Sequence, residues 1–264
     1  MTRYLENVPA AADVRAATAQ VFARATEESG AMLLNALVPI DTTMEDGFRV
    51  LNGVVGFEMA ELCDLVGYFD MFVREERDMA RRGRIQLLVY SHIFEADFPM
   101  TTLWNLHRLL ADLECSWTFH RTAANGKVHV CKYPRERVEE LKRLSEAVGT
   151  DFGEIISGLW WRELRNGFSH SQYFWAGESV TCTGRLSPVS RTGTGIGEAG
   201  SKSFAVDDVN DLYDGTVALL SEFVTRYRDA VQPYKDGELH EVQGGGIVWS
   251  GGRGRWMWPD SLDT

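Results

Sequence analysis

Apolar residues recur every three or four positions through most of this chain, and that spacing leaves few folds open. The longest stripe runs through Phe48, Leu51, Val55, Met59, Leu62, Val66, Phe69 and Val73. At 3.6 residues per turn these side chains share one helix face, and a continuous apolar face must be buried against a neighbour. Thr42-Thr43-Met44-Glu45 precedes it with the form of a capping box, Glu45 standing three positions after Thr42. The spacing therefore predicts one long helix from about residue 42 to about residue 82, punctuated by Gly83. Gly53, Gly56 and Gly67 weaken that helix but let a neighbouring helix approach closely.

Further stripes flank it. Val14, Val21, Phe22, Ala25, Met32 and Leu33 predict a first helical region between about residues 9 and 37, with Gly30 as a break and Pro39 as its stop. Residues 84–97 read as a helix ended ahead of Pro99. Thr101 or Thr102 then caps a helix carrying Leu103, Leu106, Leu109, Leu110 and Leu113. Pro134 opens another at its first turn, and Gly149 closes it. Asp151, with Glu154 three positions on, caps a helix that Ile155, Ile156, Leu159 and Leu164 seat in the core. Asp207 or Asp208 caps the last, from about residue 209 to 231. Short connections between such stripes predict a mainly α chain, an up-and-down bundle of about five to seven helices.

Two places change to period two. Trp117–Arg121 and Lys127–Tyr133 alternate around Asn125-Gly126, a strong hairpin signal, so the first small insert lies near residues 116–133. Tyr173-Phe174-Trp175 and Ser179–Cys182 around Ala176-Gly177-Glu178 predict a second near residues 172–182. His120, His129 and Cys131 sit on the first hairpin, but a metal site there lacks a fourth ligand. Residues 183–203 are rich in Gly, Ser and Thr and read as a flexible loop. Within it Gly195-Ile196-Gly197-Glu198-Ala199-Gly200 matches a dinucleotide-binding fingerprint, yet no strand precedes it and no βαβ unit surrounds it. Residues 1–232 thus form one helical domain. Residues 233–264 form a Gly- and Trp-rich tail, expected to lie on the body or on a partner.

A net charge of −11 argues against broad nucleic-acid binding, which relies on a basic surface, but leaves room for a local basic cleft. Arg74, Arg77, Arg81, Arg82 and Arg84 are one cluster to consider, interleaved with Glu75, Glu76 and Asp78 as a solvated face would be. Cys63, Cys115, Cys131 and Cys182 are widely spaced with no Cys-x-x-Cys pair, which predicts reduced thiols in a cytoplasmic protein. No stretch is apolar for long enough to cross a membrane, and no secretory signal is visible.

The chemistry concentrates in Trp160-Trp161-Arg162-Glu163-Leu164-Arg165-Asn166-Gly167-Phe168-Ser169-His170. Arg165 is the only Arg in the chain that is followed by a His five to seven positions later, His170. An Arg holds phosphate oxygens with a planar fork of donors, and a His exchanges protons near neutral pH. Arg162, three positions before Arg165, is a candidate phosphate contact on the same side. The same residues admit a structural reading: Arg165 at the negative end of a helix dipole, Asn166-Gly167 as a helix stop, and His170 bonded to a buried carbonyl.

The Arg-Asn-x-x-x-His arrangement, Arg165-Asn166 followed by His170, resembles the signature of the HEPN superfamily, and the helical pattern from about residue 41 to 231 is loosely similar. The resemblance implies a HEPN-like bundle and a metal-independent endoribonuclease that needs no cofactor. Arg165, Asn166 and His170 would be catalytic. RNA would be cut by attack of its own 2′-hydroxyl, leaving a 2′,3′-cyclic phosphate. It implies a homodimer pooling two motif copies, and a toxin–antitoxin or anti-phage setting with an antitoxin or other regulatory protein as partner. Some branches carry a Tyr two residues after the His; here Gln172 stands there and Tyr173 follows, leaving Tyr173 a candidate substrate contact. A non-catalytic dimerisation module and a nucleotide-binding sensor remain as alternatives.

Overall fold

In a computed structural model, described over residues 8–41, 49–50, 52–123, 125–183, 202–243, 245–252 and 255–257, the chain is mainly helical with small antiparallel sheets. The elements run α1 (Ala11–Ser29), α2 (Leu33–Leu37), β1 (Ile40–Asp41), β2 (Arg49–Val50), α3 (Asn52–Glu75), α4 (Met79–Glu95), α5 (Asp97–Leu110), β3 (His120–Thr122) and β4 (Val128–Val130). There follow α6 (Pro134–Val148), α7 (Phe152–Leu159), α8 (Arg162–Ser169), β5 (Tyr173–Ala176), β6 (Ser179–Cys182), β7 (Lys202–Ala205), α9 (Val206–Val231), β8 (Leu239–Val242), β9 (Gly245–Ser250) and β10 (Arg255–Met257). The capping box at Thr42–Glu45, Phe48 and Leu51 of the long stripe, and the Gly195–Gly200 fingerprint lie outside the described residues.

Helix α9 is buried on two sides, and this puts it at the centre. One face packs on α1, where Phe22 and Phe223 meet edge to face at 5.8 Å. The other meets α3 and α4 through a second apolar cluster of Leu62, Val66, Val73, Val89, Ile93, Tyr213 and Leu220. On α5, Trp104 is fully buried and stacks on Phe119 at 4.5 Å, which pins the β3–β4 hairpin to the body. Gly30 divides α1 from α2, as its position predicts, and Pro134 and the left-handed Gly149 bound α6.

Several boundaries differ from the sequence expectation, each for a local reason. The long stripe is cut at residues 76–78, not at Gly83. Asp78 accepts a hydrogen bond from the Arg81 amide at 2.8 Å and starts α4 as its N-cap. Gly83 lies inside α4 because the Trp175 ring sits against it: a Cβ there would be 2.2 Å from the indole. Helix α5 starts at Asp97, with Pro99 in its first turn, where a missing N–H costs no helical bond. Thr101 and Thr102 are therefore buried within the helix and are not its caps. Asp151 makes no capping bond to α7; Ser145 of α6 does so by accepting the Gly153 amide at 2.7 Å.

The second insert is larger than a hairpin. β7 adds to β6 in antiparallel register, Val180 opposite Phe204, making a sheet of order β5–β6–β7 that leads straight into α9. Lys202 and Ser203, expected in the loop, are thus strand residues. At the start of α9, Asp208 in the first turn accepts the Ala205 amide at 2.8 Å. The tail forms a sheet of order β10–β9–β8. It lies on the body: Val242, Ile247 and Trp256 join the main core, and the Gln243 amide donates to Asn35 Oδ1. No described helix is long and apolar enough to cross a membrane.

Candidate functional site

The residues with phosphate and proton chemistry stand on α8, a helix separate from α7. The predicted single helix is interrupted at Trp160 and Trp161 because a side chain enters its backbone. The buried Tyr90 hydroxyl donates to the Leu159 carbonyl at 3.0 Å and accepts the Trp161 amide at 2.9 Å. Such an insertion redirects the chain, as other side-chain insertions into a helical ladder do. Burial pushes the Tyr90 phenol well above its ordinary range, so the bridge stays neutral.

Leu164 is fully buried and seats α8 in the core. Gly167 seats it against β6, where a Cβ would lie 2.6 Å from Cys182 Sγ. Gly167 is therefore a packing residue within the helix and not its stop. The stop comes four residues later. Ser171, at φ 55°, donates to Phe168 O at 3.0 Å, and Gln172 donates to Gly167 O at 2.7 Å, the paired bonds of a Schellman cap. His170 is the exposed residue at that end, its amide bonded to Asn166 O at 3.0 Å.

This geometry sorts the motif into two directions. Arg162, Asn166 and His170 follow one another at four-residue steps and form one ridge along α8. They line a cleft of about 620 Å³ together with Glu163, Thr183 and Lys202. Arg165, five residues before His170, is turned roughly 140° from it about the helix axis. It lines an adjoining cleft of about 460 Å³ with Arg121, Arg135 and Glu139. Tyr133, Arg162 and Asn166 line both clefts, so the two are lobes of one groove divided by these side chains.

The charges differ in availability. Arg165 is held by the Glu95 carboxylate of α4, and its Nη1 donates to Asn166 Oδ1 at 3.2 Å. Lys202 faces Glu163 at 3.9 Å and lies 4.8 Å from the Trp161 ring centre. Arg135 pairs with Glu139 at 2.6 Å. Glu136 is engaged by His129 at 3.2 Å and by the Tyr133 amide. The side chains of Arg162 and Arg121 have no hydrogen-bond or ion-pair partner among the described residues. Cys182 is buried in the wall of the larger cleft, and burial, then Glu163, push its thiol up to about 11.

The other candidates lie elsewhere. Tyr173 sits on β5 with its ring 5.5 Å from Phe168, and lines neither lobe. His120 stands opposite Val130, and His129 opposite Arg121, so the two imidazoles project from opposite faces of their hairpin. Among the described residues no three metal-type side chains cluster. Arg74, Arg77, Arg81 and Arg84 are exposed around the α3–α4 break, and none lines the groove.

Sequence reasoning missed Glu95, Tyr90, Arg121 and Tyr133. The first two are 70 and 71 residues from their partners on or beside α8. Only tertiary packing brings them there. Comparison of the chain with protein-family models, curated proteins and solved structures returned no match.

Proposed function

We propose that this chain is a HEPN-type, metal-independent endoribonuclease that works as a cytoplasmic homodimer. The observation that carries the reading is the ridge Arg162–Asn166–His170, which sets an imidazole and an unpaired guanidinium on one wall of one cleft. In the reaction the RNA 2′-oxygen bonds to the adjacent phosphorus while the bond from phosphorus to the 5′-oxygen breaks. The products are a 2′,3′-cyclic phosphate and a 5′-hydroxyl. His170 accepts the 2′-hydroxyl proton or supplies the proton taken by the leaving oxygen. Arg162, and Arg165 once an RNA phosphate replaces Glu95, hold the charged phosphoryl oxygens. Asn166 holds Arg165 through Oδ1 and shares the wall with His170. Attack and departure need one proton acceptor and one donor, and one copy offers a single imidazole, so the second His170 of a dimer completes the set. A HEPN-like bundle, a defence or toxin role and a regulatory protein partner belong to this same reading.

Excess EDTA, labelled RNA and two proteins test it: wild type and His170→Ala. Cleavage by wild type to cyclic-phosphate ends, lost in the variant, is the expected result. Equal cleavage by both points to a contaminant or to another site and overturns the role of His170.

One observation favours a second reading, a non-catalytic dimerisation module. Glu95 neutralises Arg165 and the helix turns it away from His170. On that reading His170→Ala and Arg165→Ala leave function intact, and no RNA is cut by any form.

A further inference from the structure

The groove carries an aromatic side chain that the ribonuclease chemistry leaves unused. Tyr133 is 68% exposed, the highest value among the large exposed apolar and aromatic side chains of the described residues. Its ring makes no aromatic or cation–π contact, and its hydroxyl has no hydrogen-bond partner among the described residues. Its backbone, by contrast, is fixed. The Tyr133 amide donates to Glu136 at 3.2 Å, and Pro134 begins α6 directly after it. A ring carried on an anchored backbone thus stands between the two lobes and lines both. The two unpaired guanidiniums of the groove lie beside it, Arg162 on the shared wall and Arg121 in the smaller lobe.

We propose that Tyr133 is a stacking platform for one unpaired nucleobase, with Arg162 and Arg121 contacting backbone phosphates on the two sides of that nucleotide. The ligand class is single-stranded RNA. A base within a duplex has both faces covered by its neighbours and cannot lie on the ring. A stacked base and flanking cations are the two components by which single strands are held with little sequence preference. This assignment rests on the ribonuclease reading for the identity of the polymer, but not on cleavage.

The test uses full-length His170→Ala protein, so that binding is measured without turnover, and fluorescence anisotropy with a labelled single-stranded oligoribonucleotide and the matching blunt duplex. The expected result is preferential binding of the single strand. Adding Tyr133→Ala weakens that binding about 5- to 150-fold, the loss of one base–aromatic stack, while Tyr133→Phe retains it. Adding Arg162→Ala or Arg121→Ala lowers the slope of log affinity against log salt by about 0.7 each, one single-strand phosphate, whereas Tyr133→Ala leaves the slope unchanged. Circular dichroism of each variant confirms the fold, since all three side chains project from the surface.

Equal affinity for single strand and duplex, single-strand binding that Tyr133→Ala does not weaken, or no RNA binding at all overturns the platform. The ribonuclease reading fails separately. If wild type cuts RNA and Tyr133→Ala keeps its KM, only the platform is lost. If Tyr133→Ala abolishes binding while wild type never cuts RNA, the platform stands and catalysis does not.

Discussion

Tyr90→Phe removes one oxygen atom and should loosen the whole candidate site. That oxygen closes two hydrogen bonds, 3.0 Å to Leu159 O and 2.9 Å from the Trp161 amide, at the joint between α7 and α8. A net hydrogen bond contributes about 0.5–1.5 kcal/mol, and a buried backbone group left unpaired costs about 1–3 kcal/mol. Leu159 is fully buried and water cannot replace the hydroxyl there, whereas Trp161 is half-buried and recovers part of its bond. The expected loss is about 1–3 kcal/mol, or roughly 2–12 °C in Tm for a chain of this size. The functional effect is sharper. Arg162 is the first residue of α8, one position beyond the freed amide. A displacement of about 1 Å at that point is enough to reduce kcat roughly 100-fold. Calorimetry gives the first number and single-turnover RNA cleavage the second, with KM expected to move little. A Tm within about 1 °C of wild type together with unchanged cleavage would refute the argument that this hydroxyl sets the joint.

Other perturbations follow from the same structure. Gly167→Ala places a Cβ 2.6 Å from Cys182 Sγ and 2.8 Å from its Cβ. The overpacking should cost about 1–3 kcal/mol in urea denaturation, and adding Cys182→Ala should recover only part, because the Cβ contact persists. His107 is buried between Leu103 O at 2.7 Å and Thr150 Oγ1 at 3.3 Å, and burial lowers its pKa to about 4. The unfolded chain takes up this proton first as pH falls, so stability is full above about 6.5 and declines by about 3 kcal/mol towards pH 4. Denaturant midpoints against pH, shallower in His107→Gln, check the sign. Finally, burial pushes all four thiols up, those of Cys115, Cys131 and Cys182 to about 12, 11 and 11, but Cys63 is half-exposed where the other three are buried from reagent. Iodoacetamide at pH 8 should label Cys63 alone in the native protein, read by peptide mass spectrometry.

The helices were legible where apolar spacing and a breaker agreed. Pro134 with Gly149 bounds α6, and Gly30 divides α1 from α2, because each residue acts on its own backbone. Boundaries failed where a distant group decided them. The α7–α8 break is made by Tyr90 from α4, and the α7 cap by Ser145 from α6, neither visible in local spacing. Gly83 and Gly167 look like punctuation in the sequence but are contact points for Trp175 and Cys182. In the groove, Asn166 and His170 were legible from the arrangement they form with Arg165, and Arg162 from its three-residue step to Arg165, because such spacings are local properties of a helix; the ridge that joins Arg162, Asn166 and His170 emerged only with the fold. Tyr133 and Arg121 were not, since both reach the groove only through the docking of the β3–β4 hairpin and the start of α6.

The charge of the groove also bears on how any RNA is held. The chain carries a net −11, so distant electrostatics oppose a polyanion and only local uncompensated cations attract it. Glu95 cancels Arg165, and Glu139 cancels Arg135; Arg121 and Arg162 are left. Two phosphate contacts give a salt slope of only about −1.4 on a single strand, too shallow to represent the main source of affinity in a tight complex. On the ribonuclease reading, binding to one copy would then depend on contacts that carry no charge, the part proposed for Tyr133. A dimer that brings two such grooves onto one strand gains far more, because the second contact becomes intramolecular. On the ribonuclease reading a similar competition would act at Arg165, which the Glu95 carboxylate already holds. A phosphate must displace a carboxylate already in place on Arg165, so a weakly seated strand leaves that guanidinium occupied, while one anchored by both its base and its flanking phosphates can take it.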